Sequence, residues 1–92
     1  MTHSGPYYID MSAEAKRALH RLPAKIAPAV VEFITGALAD NPTRLSKQLT
    51  NELAEYRSAR RGDYRVLIRI DETRHTVLVS RIDHRADVYH RR

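Results

Sequence analysis

"RRGDYRVLIRI", residues 60–70, alternates from Tyr64 onward: Tyr64, Val66, Ile68 and Ile70 point one way, Arg65, Leu67 and Arg69 the other. A period of two predicts a half-buried strand with one face for a core and one face carrying guanidinium groups. Gly62 and Asp63 are turn formers, so "EYRSAR" (55–60) is expected to pair with this strand through a tight turn. On the other side "DETRH" (71–75) reads as a hairpin loop into "TVLVSRID" (76–83), a further strand. Three consecutive strands of this kind form an antiparallel meander. Which side of the last strand faces inward stays open at this level, because Leu78 and Ile82 compete with Val77 and Val79.

The first half of the chain supplies what covers the meander. "YYIDMS" (7–12) has strand propensity and ends in Ser12, whose hydroxyl suits a helix N-cap. Ala15, Ala18, Leu19 and Leu22 then form one apolar stripe that Pro23 ends. Ile26, Val30, Phe33, Ile34, Ala37 and Leu38 form a second, broader face closed by "DNP" (40–42), with Pro28 near its start and Gly36 weakening its last turns. So short a joint predicts an antiparallel helix hairpin. "NPTRLSKQLTNELAE" (41–55) reads as a polar connector punctuated by Leu45, Leu49 and Leu53. The expected fold is α+β: an N-terminal strand at the sheet edge, two helices on one face of the meander, and the other face open, all within a single domain spanning 1–92.

Composition narrows the chemistry. Ninety-two residues make one small domain, and the absence of cysteine excludes disulfides and thiolate metal sites, as in a reducing cytoplasm. No stretch approaches the roughly 18 apolar residues of a membrane span, so a soluble cytoplasmic protein is expected. The net charge of +5 is unevenly placed. Residues 1–42 balance four basic against four acidic groups, whereas residues 43–92 set twelve against seven, and eleven of those twelve are arginine. Arginine presents a flat, permanently charged fork that grips phosphate at two points, which indicates a polyanionic partner.

The basic face of the meander is the first candidate site: Arg65 and Arg69, flanked by Arg57 or Arg60 on one neighbouring strand and by Arg81 or Arg85 on the other. The competing reading is local neutralisation by Asp63, Asp71, Asp83 and Asp87 in surface pairs worth ~0 to 1 kcal/mol each. The tail "RIDHRADVYHRR" (81–92) adds His84, His90 and Tyr89, an acid or base near neutrality and a ring that stacks on a nucleobase. Five scattered histidines give no metal-ligand spacing, there is no nucleophile elbow, and no glycine-rich phosphate loop. Arginines that stabilise charge, and the 2′-hydroxyl of an RNA as nucleophile, are what remain.

"NPTRLSKQL", "SARRGDYRVLIRID" and "IDHRADVY" resemble, in order and spacing, the pattern of RelE-type toxins in the RelE/ParE superfamily, and the likeness covers essentially the whole chain. The resemblance implies the toxin of a type II toxin–antitoxin pair, an endoribonuclease that cleaves messenger RNA in the ribosomal A site through a 2′,3′-cyclic phosphate, with neither metal nor cofactor. It also implies a RelB-like antitoxin as partner and contact with operator DNA only as the toxin–antitoxin complex. By position, Arg65 matches the arginine that supports the scissile phosphate, Arg85 the second phosphate contact, and Tyr89 the C-terminal tyrosine. Arg60 falls on a basic position of the preceding strand, while Ser58 stands where relatives often carry another basic residue, and Ile68 where many carry tyrosine. Lys47, Arg44, Arg57, Arg61 and Arg81 are further expected RNA contacts, and His84 is a candidate general acid. A gyrase-inhibiting toxin of the ParE kind and a noncatalytic nucleic-acid-binding module are the alternatives.

Overall fold

A computed structural model describes residues 5–84. The chain runs β1 (Tyr8–Met11), α1 (Ala13–Arg21), α2 (Ala27–Phe33) continued by a π-helical stretch (Ile34–Leu38), β2 (Ser46–Gln48), β3 (Arg57–Arg61), β4 (Tyr64–Asp71) and β5 (Thr76–His84). The strands form one sheet in the order β1-β5-β4-β3-β2. All neighbours are antiparallel except β1, which lies parallel to β5. The expected α+β architecture is present, with one addition. The connector is not wholly irregular: it contributes β2, which pairs with β3, and a short 3₁₀ turn (Asn51–Leu53). A three-residue polar strand whose one buried member is Ser46 has no alternation to betray it.

Ser12 caps α1 as expected, accepting from the Ala15 amide at 3.0 Å while its hydroxyl donates to the Ser80 carbonyl at 2.8 Å, so the cap also ties the helix to β5. Pro28 sits in the first turn of α2, where a missing amide costs little. The second apolar slab is not one regular helix: around Gly36 it widens into the π stretch. Ala15, Val30, Ile34 and Leu38 then pack on Ala59, Val66, Ile68, Val77, Val79 and Ile82 to make the core.

The parity of β5 is settled by a bulge. Ile68 pairs with Val79 but Leu67 pairs with Arg81, which leaves Ser80 without a partner on β4. One extra residue switches the alternation, so Val77 and Val79 face inward before it and Ile82 after it.

The N-terminal strand is fastened at the β4–β5 hairpin. The Tyr7 hydroxyl donates to Glu72 at 2.8 Å, its ring stacks on His75 at 3.9 Å between centroids, and the Tyr8 amide donates to the His75 carbonyl at 2.9 Å. The hydrogen bond to Glu72 first, then burial and the Glu72 charge, raise the Tyr7 phenol above its ordinary value. A phenol held neutral in the fold adds stability that is complete below about pH 10 and is lost as pH climbs through the raised value. Melting curves from neutral pH to pH 11 should therefore fall off less steeply for Tyr7→Phe than for the parent, and an identical alkaline decline would show that this phenol is not linked to folding.

Candidate functional site

The face of the sheet away from the helices carries two rows of side chains fixed by strand register. Arg60 on β3 lies directly opposite Arg65 on β4, which lies opposite Asp83 on β5. In the next row Lys47 on β2, Ser58 on β3, Leu67 on β4 and Arg81 on β5 follow one another. Two like charges directly opposite across an antiparallel pair oppose folding, so the Arg60–Arg65 pairing is a position where an anion would be welcome. A groove of about 330 Å³ opens beside it, lined by Leu49, Leu53, Ser58, Arg65, Leu67, Arg81 and Asp83. One wall is thus aliphatic and the other charged.

The opposite end of the open face is balanced. Arg69 forms an ion pair with Glu55 at 3.1 Å and lies over the Tyr56 ring, with Asp10, Asp71, Glu72 and Arg74 nearby. Positive potential is thereby concentrated at the Arg60–Arg65 end. Arg81 reaches around the sheet edge past the end of β1, its Nη2 donating to Asp83 Oδ1 at 3.1 Å and its Nε lying 3.7 Å from Glu14 on α1.

Several expected RNA contacts are placed elsewhere. Arg57 has the inward parity of Ala59, and its Nε donates to Ser46 Oγ at 2.7 Å while Nη2 donates to the carbonyls of Thr43 and Ser46 at 3.1 and 3.0 Å. It clamps the turn before β2, a structural role that corrects the reading of Arg57 as an RNA contact. Removing three hydrogen bonds, Arg57→Ala should lower stability by about 1 to 3 kcal/mol, measured by urea unfolding, and an unchanged midpoint would contradict the clamp. Arg61 pairs with Tyr64 on the side away from Arg60 and Arg65, and Arg44 is exposed in the turn before β2. Neither joins the arginine row.

His84 is likewise moved. The bulge puts Asp83 on the open face and His84 on the inward one, where its ring meets Tyr64 at 4.7 Å and borders α1 with Ala18 and Leu22. The expectation of His84 as an acid beside Arg65 is corrected accordingly: the sheet stands between them. Arg85 and Tyr89 lie outside the described residues. What the sequence reading overlooked is the groove wall, Leu49 and Leu53, whose four-residue spacing with Leu45 was the available signal. Among the described residues, no three His, Asp or Glu side chains gather as a metal site would require, and no helix is long and apolar enough to cross a membrane.

Residues 9–89 match the family model described as the ParE toxin of the type II toxin–antitoxin system parDE. The chain belongs to the RelE/ParE family of toxins. It is similar to Toxin RelG of Mycobacterium tuberculosis, with 51% identity covering 94% of this chain and 99% of the relative, and to Toxin RelE of the same organism, with 48% identity covering 97% and 92%. The crystal structure of the toxin–antitoxin complex RelBE2 from M. tuberculosis contains a chain 48% identical, superposing with a TM-score of 0.87 over 95% of this chain and all of that one. The isolated Escherichia coli RelE toxin, 15% identical, shares the fold at a TM-score of 0.69 over 90% of both chains. A RelE-type toxin fold with arginines on its open sheet is thus the setting for any chemistry.

Proposed function

We propose that this RelE-type toxin is an endoribonuclease that cuts messenger RNA in the ribosomal A site and so arrests translation. The supporting observation is the Arg60–Arg65 cross-strand pair beside a groove with one aliphatic wall. A phosphodiester seated there relieves the repulsion of the two guanidiniums, and the extra negative charge of the pentavalent transition state draws on them more strongly than the ground state does. Leu49, Leu53 and Leu67 offer an apolar surface for a nucleobase, and Lys47 extends the positive track toward the sheet edge. The nucleophile is the RNA's own 2′-hydroxyl and the product a 2′,3′-cyclic phosphate, chemistry that requires positioned donors and calls for no metal. Arg85 and Tyr89, carried by the family resemblance, would complete the set from the C-terminal segment.

The relative solved as the RelBE2 toxin–antitoxin complex supports a cognate antitoxin as the partner that silences this surface; contact with operator DNA by the toxin–antitoxin complex belongs to the same proposal. Primer extension on a reporter messenger RNA after induced expression tests the assignment. New 5′ ends within the coding frame, dependent on translation, are expected. Intact messenger RNA together with induction of DNA damage would transfer the assignment to the gyrase-directed branch whose name the family model bears.

A further inference from the structure

We infer that Asp83 is the general base of this cleavage, accepting the proton of the attacking 2′-hydroxyl; the inference rests on the endoribonuclease reading above. Among the described residues lining the groove Asp83 is the sole carboxylate, and it lies directly across from Arg65 on the same face. Opposed residues of an antiparallel pair hold their Cβ atoms about 4.5 to 5.5 Å apart. A phosphate gripped by Arg65 therefore brings the ribose on its 3′-oxygen side within reach of the carboxylate. The side chain is 23% exposed, enough to meet a substrate while Arg81 holds Oδ1 at 3.1 Å and fixes its direction.

Other candidates fit the role less well. His84 faces the far side of the sheet, and a phenol with an ordinary value near 10 is a weak proton acceptor at neutral pH. The charged groups around Asp83 are Arg65 on β4, Arg81 on its own strand, and Glu14 and Arg21 on α1, with Arg60 one strand beyond Arg65. In the step, the 2′-O–H bond breaks with its proton passing to Asp83 and the 2′-oxygen forms a bond to phosphorus. The bond from phosphorus to the 5′-oxygen then breaks, and that oxygen takes a proton from water. Asp83 returns its proton to solvent before the next turnover.

Single-turnover cleavage of messenger RNA on programmed ribosomes at neutral pH tests this with the full chain and the variants Asp83→Asn, Asp83→Glu and Arg81→Gln. Asp83→Asn should lose on the order of 10²- to 10⁴-fold in maximal rate, with little change in the toxin concentration giving half-maximal rate. Asp83→Glu should recover part of the rate. Arg81→Gln should weaken RNA binding and, because it frees the carboxylate it orients, lower the maximal rate by less than Asp83→Asn does. If Asp83→Asn melts early, Asp83→Glu carries the test, because a displaced carboxylate must slow the reaction without abolishing it. A parent that cleaves while a folded Asp83→Asn retains its maximal rate overturns the role of Asp83 and leaves the nuclease reading intact. A parent that cleaves no ribosome-bound RNA overturns both.

Discussion

Arg65→Ala is expected to release cells from growth arrest on induction and to leave the fold untouched. The side chain is partly exposed on the open face of β4, outside the core, and its cross-strand neighbour Arg60 repels it. Its loss removes one unfavourable neighbour, Arg60, together with one favourable one, Asp83 directly across on β5, and opens no cavity. Its functional cost is large, because a preorganised donor aimed at developing negative charge accounts for about 3 to 4 kcal/mol of barrier, or roughly 10²- to 10³-fold in rate. Arg65→Lys should recover little, since an ammonium is a single point of charge where the guanidinium makes two parallel bonds. Growth after induction, read beside the thermal melt, separates the outcomes: undiminished toxicity from a folded Arg65→Ala protein would remove this arginine from the site.

The second large effect concerns the core beneath the site. Ile68 is fully buried, packed among Val66, Val79, Ile34 and Leu38, and it sits at the register shift that sets the parity of β5. Ile68→Ala should cost about 2 to 5 kcal/mol through lost burial and the cavity left behind. Against the ~5 to 15 kcal/mol that holds a domain of this size together, that loss lowers the melting temperature by on the order of 10 to 30 °C. Ile68→Val should cost only about 0.5 to 1.5 kcal/mol. Calorimetry on the pair provides the check, and equal melting temperatures for parent and Ile68→Ala would mean that the helices do not rest on this strand as described. Because Arg65, Leu67 and Ile68 share β4, a loosened core also loosens the site, so toxicity should decline with stability in the alanine variant.

The alternation in residues 64–70 carried most of the fold, because a strand with one apolar and one basic face leaves a single way to place the helices. It also identified Arg65 and Arg69 as open-face residues, which register confirms, whereas the choice between Arg57 and Arg60 on β3 was left to the register to decide. Three features escaped, each for a local reason. Ser80 offers no side-chain cue for a bulge, so nothing in "TVLVSRID" shows that Ile82 joins Val77 and Val79 inside, or that His84 follows it there. β2 is too short and polar to display a period. Arg57 has the chemistry of an RNA contact and the parity of a core residue, and only the position of Ser46 and the Thr43 carbonyl reveals which of the two governs. Charge could be read from composition, and Asp83 as a local neutralising group from its place beside the arginines, but the pairings of Arg81 with Glu14 and of Arg69 with Glu55 could not, because they join groups far apart in the chain.

Under the proposed function, rigid guanidiniums on the helix-free face stabilise the transition state of RNA cleavage. The most direct measurement is the single-turnover rate constant on ribosome-bound messenger RNA at saturating toxin, for the parent, Arg65→Ala, and Arg61→Ala as a control of equal charge on the other side of the sheet. A fall of roughly 10²-fold or more for Arg65→Ala, with Arg61→Ala close to the parent, is the predicted result. Equal losses from both, or no loss from Arg65→Ala, would contradict it.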